Sequence, residues 1–281
     1  MLLLTWNLNK SDLAFRLALA HLCGSGDSFI GCLQELPRDV GTTATARDVT
    51  KGLVGNAVRC LGVTPAALPH KHGRVGLFCS PSLRSTAPDV EHDARQRMAG
   101  ISVLGAGVEP LLVIGYHGVS RQEAPSELQR GRIGADARRE IDKRWDRDPL
   151  IVLGDFNANP FDAEVCGSAG LFALRDRAEA RQERASPLLA LGEKQRPLYN
   201  PMWSLLTESA TRPGGTHVHN AELMLRWRLY DQILMSPDLI DAIQDPPEIR
   251  TEIAGQSLLT VHGNPDESIS DHLPIQVRVT I

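Results

Sequence analysis

The apolar run Pro149-Leu150-Ile151-Val152-Leu153 breaks off into Gly154-Asp155-Phe156-Asn157, and no other junction constrains the chain as much. A run of that length reads as a buried strand, Gly154 permits a bend, and Pro160 prevents smooth continuation. Asp155 and Asn157 therefore leave the sheet together. Two residues apart in extended chain, they point to the same side and can converge on one small ligand. The same tetrapeptide could instead close the strand with an Asx turn. A second junction favours chemistry: Ser270-Asp271-His272-Leu273 lies on a polar loop just before the strand-like alternation Pro274-Ile275-Gln276-Val277-Arg278-Val279. A carboxylate can bind a hard cation, and an imidazole near its neutral pKa can move a proton or bind phosphate. Tyr230-Asp231-Gln232-Ile233-Leu234-Met235 brings a third carboxylate to the start of an apolar strand. There it could cap a turn or, beside a histidine, fix the imidazole tautomer and stabilise its charged form. Together these junctions point to metal-assisted phosphoester hydrolysis.

Six motifs in chain order carry a wider resemblance: Thr5-Trp6-Asn7-Leu8-Asn9, Leu33-Gln34-Glu35-Leu36, Gly115-Tyr116-His117, Gly154-Asp155-Phe156-Asn157, Tyr230-Asp231-Gln232-Ile233-Leu234 and Ser270-Asp271-His272. In identity and order this set resembles the endonuclease/exonuclease/phosphatase superfamily, the fold of pancreatic-type deoxyribonuclease, exonuclease-III-type repair nucleases, inositol-polyphosphate 5-phosphatases and neutral sphingomyelinases. The resemblance implies an α/β fold, a four-layer α/β sandwich of two packed mixed β-sheets flanked by helices, with the active site at one end of the sheets. It implies that Glu35, with the amide oxygen of Asn7, holds Mg²⁺ or Mn²⁺, and that Asp271 joins or supports that site. Asn157 would hold a phosphate oxygen and Asp155 would orient or deprotonate the attacking water. His272, braced by Asp231, would act as general base or charge stabiliser. His117 matches the histidine that deoxyribonuclease-like and sphingomyelinase-like branches place near the leaving group; it could also be a histidine satisfied at a strand end. Asn9 stands where several repair nucleases carry a metal-binding Asp, so one dominant metal is expected. Arg97 is placed like a phosphate-contacting arginine of some relatives, although a solvated strand end explains it as well.

Composition agrees with a single domain over 1–281. With 42% hydrophobic and 23% charged residues the chain is not of disordered type, and no run approaches membrane-spanning length. Met1–Leu4 is too short for a signal-peptide core and leads straight into the Asn7 motif, so a cytoplasmic location is expected. Five scattered cysteines without metal spacing read as reduced, buried thiols. Ser11 can cap a helix with apolar positions Leu13, Leu17 and Ala20 that Gly24 ends. Residues 28–33 read as a strand delivering Glu35. Val49, Leu53, Ala57 and Leu61 keep helical spacing, as do Ile133, Ala137, Ile141 and Trp145; runs at 74–80, 99–104 and 111–117 read as consecutive strands.

The substrate is less tightly bounded. A net charge of −4 gives no global pull toward nucleic acid. Residues 121–147 hold eight basic and six acidic side chains, whereas 231–271 holds one basic and nine acidic. The basic face Arg132, Arg138, Arg139, Lys143 and Arg144 could meet a phosphate backbone or be an ordinary solvated face. The same choice applies to His70-Lys71-His72 with Arg74. The Pro- and Gly-rich segment from Arg181 to His219 reads as a long loop at the active-site rim, where Trp203 could stack on a base or anchor its own loop. Thr216 is the other substrate-contact candidate there, and His217 with His219 could offer two ligands to Zn²⁺. The expectation is a Mg²⁺-dependent phosphodiesterase with nucleic acid as leading substrate and no obligate protein partner. A small phosphoester, such as a lipid head group, inositol phosphate or nucleotide, is the alternative substrate, and a degenerate binding module the alternative to an enzyme.

Overall fold

The computed structural model describes all residues except 65–74, 86–90, 94–95, 105–109, 145–148, 186–188, 191–192, 195, 208, 210, 220–225 and 281. Its first half runs β1 (Leu2–Asn7), α1 (Asp12–Gly24), β2 (Phe29–Gln34), α2 (Thr43–Val54), β3 (Arg59–Val63), β4 (Val75–Cys79), β5 (Arg84–Ser85), β6 (Glu91–His92), β7 (Met98–Leu104) and β8 (Leu111–His117). The chain continues through α3 (Glu127–Arg144), β9 (Leu150–Asp155), α4 (Ala163–Cys166), β10 (Ala173–Leu174), α5 (Arg177–Ala185), β11 (Leu189–Ala190), β12 (Glu193–Lys194) and β13 (Leu198–Tyr199). A 3₁₀ turn at Pro201–Leu206 leads to β14 (His217–Val218), β15 (Trp227–Arg228), β16 (Asp231–Met235), β17 (Glu248–Ile249), β18 (Glu252–Ile253), β19 (Gln256–Ser257) and β20 (Ile275–Arg278).

Two mixed sheets result. One has six strands in the order β17-β20-β1-β2-β4-β3; the other has eight, β10-β13-β16-β9-β8-β7-β5 with β6 paired beside β7. Side-chain parity decides how they stack. In β8 and β9, Leu112, Ile114, Leu150 and Val152 join Ala137 and Ile141 of α3 in one apolar cluster, while Val113, Ile151 and Leu153 join the core shared with the other sheet. In β16, Leu234 faces the α3 side and Ile233 and Met235 face inward. Because parity persists to the strand ends, His117, Asp155 and Asp231 all point into the gap between the sheets. A Cβ on Gly115, two residues before His117, would strike Cys32 and Val75 of the opposing sheet, so the layers meet closely here.

The helices form as their caps dictate, but two stripes differ from expectation. Ser11 caps α1, its Oγ accepting from Ala14 N–H at 3.1 Å. The buried face of α1 is Ala14, Phe15, Ala18, Leu19 and Leu22, whereas Leu13 and Ala20 are exposed. Apolar residues surround this helix on most sides, so spacing alone does not select the stripe; the face that carries Phe15 takes the core. The second helix stops at Val54, with Gly55 as its C-cap at φ 60°, so Leu61 belongs to β3 rather than to a longer helix. In α3, Ala137 and Ile141 are buried as spaced, and Trp145 lies outside the described residues. The segment from Arg181 to His219 is not one loop, since it contains the end of α5, the β11–β12 ladder, β13 and a 3₁₀ turn. Among the thiols Cys32, Cys60 and Cys79 are buried, while Cys23 is exposed. No described helix is long and apolar enough to cross a membrane.

The junction at Gly154 is tight because β8 runs beside it in parallel register, Tyr116 opposite Gly154 and His117 opposite Asp155. A Cβ at Gly154 would collide with the Tyr116 carbonyl oxygen, whereas one at Gly131 in α3 would meet nothing. Gly154→Ala should therefore cost about 3 kcal/mol of unfolding free energy. Gly131→Ala should add about 0.5–1 kcal/mol. Urea unfolding of the two variants beside the parent checks both signs.

Candidate active site

Three neighbouring strands deliver the centre of the site. In the sheet register Asp155 lies opposite His117 on one side and opposite Asp231 on the other. Across the gap, β1 and β2 pair in parallel with Asn7 opposite Gln34, so that Glu35 emerges one residue beyond the strand. The chain's last motif is sewn to its first. Trp6 Nε1 donates to the His272 carbonyl at 2.9 Å, Ser270 Oγ donates to the Asn7 carbonyl at 2.7 Å, and His272 N–H donates back to Ser270 Oγ at 3.1 Å.

Asp155 is the hub, its side chain 1% exposed. Its Oδ1 accepts from Asn157 N–H at 2.8 Å, so the Asx turn forms as well. Its Oδ2 accepts from Asn7 Nδ2 at 2.9 Å and from Asn157 Nδ2 at 3.3 Å. The same oxygen lies 3.7 Å from His117 Nε2 and 3.9 Å from His272 Nε2. Burial alone would raise the Asp155 pKa, but positive charge at His272 and His117 and the bonds from Asn7 and Asn157 outweigh it and hold the carboxyl below its usual range.

Behind the hub, His272 Nδ1 and Asp231 Oδ2 are 2.7 Å apart and both residues are buried. Desolvation would lower the imidazole pKa, yet the charges of Asp231 and Asp155 push it up to about 10. The two carboxylates therefore favour the imidazolium form of His272. Burial shifts Asp231 upward, and its second oxygen, Oδ1, has no hydrogen-bond partner.

Glu35 and Asn157 both adopt left-handed backbone, φ 47° and 52°, a conformation costly for non-glycine residues that clusters at functional sites. The Glu35 carboxylate is partly exposed, 3.5 Å from Asn7 Nδ2 and 3.9 Å from His117 Nε2. Lys10 Nζ sits 3.1 Å from Glu35 Oε2. Glu35 and Asp155 offer oxygen ligands and Lys10 shows that a positive charge is accommodated, which fits Mg²⁺ or Mn²⁺.

Several expected roles change. Asn7 Oδ1 accepts from the backbone N–H of Asn9 at 3.0 Å, while its amide hydrogens bridge Asp155 and Glu35. Asn7 thus clamps two carboxylates through its amide hydrogens. The Asp271 carboxylate groups with His217 and His272. Thr216 is fully buried, its hydroxyl accepting from the N–H groups of Tyr230 and Asp231 at 3.2 and 3.3 Å, so it positions Asp231 instead of touching substrate. Arg97 is neither solvated nor open to phosphate. It is 7% exposed, and its guanidinium bonds the carbonyls of His117 and Gly118 and pairs with Glu123. Trp203 is half-buried, with Phe161 at its edge and the Arg175 guanidinium 5.8 Å from its ring, so it anchors its own segment. On the basic helix face, Arg138 is 3% exposed, bound to Asp142 and the Leu171 carbonyl, and Arg139 pairs with Asp136. The His70-Lys71-His72 segment with Arg74 lies outside the described residues.

Two site residues were not anticipated as such. Lys10 was hidden behind Asn9 in a turn whose left-handed conformation no sequence signal marked. His217 was read only as a partner for His219. Its ring lies 4.6 Å from that of His272 and stacks on Tyr230 at 5.6 Å, and burial followed by the His272 charge lowers its pKa.

Comparisons agree with this architecture. The catalytic domain of APE2 from Xenopus laevis superposes with a TM-score of 0.58 at 17% identity, covering 99% of this chain and 91% of that one. A 3′ phosphatase, NExo from Neisseria, bound to product DNA hairpin, gives 0.54 at 19% identity with full coverage of both chains. ANGEL2, a 2′,3′-cyclic phosphatase in complex with adenosine-2′,3′-vanadate, gives 0.60 at 15% identity, covering 100% and 96%. No curated protein matches in sequence. The profile of the Endonuclease/Exonuclease/phosphatase family matches residues 4–272, and the chain belongs to that family of phosphoester hydrolases.

Proposed function

We propose that the protein is a divalent-metal-dependent phosphodiesterase that cleaves nucleic-acid phosphodiester bonds by in-line attack of water. The observation that carries this reading is the ionised, buried Asp155 held between two imidazoles and two amide donors, beside the partly exposed Glu35. Glu35 would hold the metal with Asp155 at its edge; bound there, Mg²⁺ supplies Lewis-acid polarisation of the phosphoryl oxygen. Asp155 orients the attacking water and accepts its proton. His272 balances the growing negative charge on phosphate as an imidazolium, and Asp231 keeps it oriented and charged. His117 stands on the other side of Asp155, where it can protonate a leaving oxygen. The Asn157 amide makes only two long contacts, to Gly118 O and Asp155 at 3.3 Å each, and can exchange one for a phosphate oxygen.

Nucleic acid is favoured by the rim. Phe161, four residues beyond Asn157, is 41% exposed and packs with Trp203, over which Arg175 is poised. An aromatic face beside a guanidinium suits base stacking, and the Neisseria relative carries a DNA hairpin. A small phosphoester is the second reading, because burial of Arg138 and pairing of Arg139 with Asp136 narrow the basic face expected on α3, although Arg132, Arg139 and Lys143 stay exposed.

Turnover should need the cation held by Glu35. Glu35→Gln should keep its circular dichroism spectrum and lose at least about 100-fold in rate; full activity in excess EDTA would refute metal dependence.

The Asp231–His272 pair should act as a unit. Asp231→Asn should lower kcat by about 10²–10⁴-fold, and adding His272→Ala should cost less than a further tenfold or so. The sign of its pH dependence follows from the raised imidazole pKa: protonation is complete below the ordinary value of 6.5 and lost as pH rises through about 10. Nitrogen NMR of the metal-free protein should therefore find His272 doubly protonated at pH 8 and neutral there in Asp231→Asn.

The substrate readings separate by salt. On a panel of plasmid, single-stranded DNA, RNA, bis-p-nitrophenyl phosphate and p-nitrophenyl phosphate, nucleic acid should be cleaved and its binding should weaken log-linearly with salt. Phe161→Ala should weaken that binding by about 1–3 kcal/mol while sparing bis-p-nitrophenyl phosphate. Turnover confined to small substrates would select the second reading.

A further inference from the structure

Beyond Glu35, a second set of ligand atoms converges at the other side of the hub. One ligand atom from each of His217, Asp271 and His272 lies within 4.8 Å of the others. We propose that Nε2 of His217, Nε2 of His272 and the Asp271 carboxylate bind a transition-metal ion of the Zn²⁺ type, at a site distinct from the Glu35 cation, and that filling it stops catalysis.

Hydrogen bonding assigns the ligand atoms. His217 Nδ1 lies 3.1 Å from the Asp271 carbonyl, which only accepts, so Nδ1 carries the proton and Nε2 the lone pair. His272 Nδ1 is taken by Asp231. Metal-binding histidines are oriented in this way, one ring nitrogen donating to a carbonyl or carboxylate while the other meets the ion. Backbone geometry holds the two rings together through an isolated antiparallel bridge between His217 and His272. The stack on Tyr230 fixes His217 further. Zinc–ligand bonds of about 2.0–2.1 Å place tetrahedral ligand atoms about 3.4 Å apart, so side-chain rotations of roughly 1 Å would close the site. His219, the partner expected from sequence, is outside the cluster, its ring 6.4 Å from that of His217.

Two imidazoles and one carboxylate suit Zn²⁺, whereas the oxygen ligands near Glu35 suit Mg²⁺. Ligation would commit Nε2 of His272, 3.9 Å from Asp155 Oδ2, to the second ion and withdraw it from the phosphate side of the hub. The binding half of the proposal is independent of the function proposed above; the inhibitory half rests on it.

Co²⁺ can stand in for Zn²⁺, because four-coordinate Co²⁺ absorbs visible light far more strongly than six-coordinate Co²⁺. The full-length Glu35→Gln protein should still develop the four-coordinate band with one equivalent of Co²⁺ and lose it to Zn²⁺. His217→Ala and Asp271→Asn in that background should bind at least about tenfold more weakly. His217→Gln serves if the alanine variant misfolds, with circular dichroism as the check. With the parent at saturating Mg²⁺, Zn²⁺ should suppress turnover of bis-p-nitrophenyl phosphate. His217→Ala, normalised to its own Mg²⁺-supported rate, should need at least about tenfold more Zn²⁺. Absence of the band, or a band lost in Glu35→Gln and indifferent to His217, would overturn the site. A retained band with undiminished turnover in Zn²⁺ would overturn the inhibitory half. Lack of turnover with every cation and substrate would sink the hydrolase reading, while the cobalt experiment still decides the binding site.

Discussion

A carboxylate that is 1% exposed cannot stay ionised unless its surroundings replace the water it has lost, and Asp155 is that carboxylate. Its compensation comes from four separate places in the chain: the amide of Asn7 on β1, the ring of His117 on β8, the backbone and amide of Asn157 after β9, and the ring of His272 before β20. No local segment could supply these groups. Both sheets must pack with their strand ends level before the charge is satisfied, so burying Asp155 and assembling the site are one event. The ties from Trp6 to His272 and from Ser270 to Asn7 hold the two ends of the sequence to the same level.

Much of this arrangement was legible because it follows from parity and order. A strand with period two that ends in a carboxylate fixes which face the carboxylate takes. His117, Asp155 and Asp231 obey that rule on three adjacent strands, and Glu35 follows its strand as expected. The polar residues read outward were the illegible part. Arg97, Arg138 and Thr216 all turned inward, to the carbonyls of His117, Gly118 and Leu171 and to the N–H groups of Tyr230 and Asp231. These backbone partners lie at strand ends and bends, where the ladder leaves groups unpaired, and nothing in a run of side-chain identities marks an orphan carbonyl 33 residues away. A charge run therefore predicts solvation only when its helix has no unsatisfied backbone beneath it. The stripe of α1 failed for a related reason, since a helix apolar on several sides leaves the choice of face to tertiary packing.

The buried arginines bear on chemistry as well as stability. Arg97 clamps the carbonyl of His117 itself and that of Gly118, the acceptor that also receives Asn157 Nδ2. Its ion pair with Glu123 extends the clamp into the turn beyond β8. An arginine in the interior with its donors spent on carbonyls holds loop backbone rigidly, which a solvated or phosphate-bound guanidinium would not do. Placement of His117 and Asn157 thus depends on a residue that never meets the reacting atoms.

Around the hub the structure retains several locally unfavourable features. Glu35 and Asn157 sit in left-handed backbone, and Asp231 keeps a buried oxygen without a partner. Each costs free energy that the two apolar clusters must offset. They share a geometric consequence. The left-handed turns swing Glu35 and Asn157 off the strand direction, toward a point beside Asp155, where straight continuation would carry them away from it. Relaxing any of these features would make a more comfortable protein and a less convergent set of charges, so they are expected to resist replacement by residues that local propensity favours.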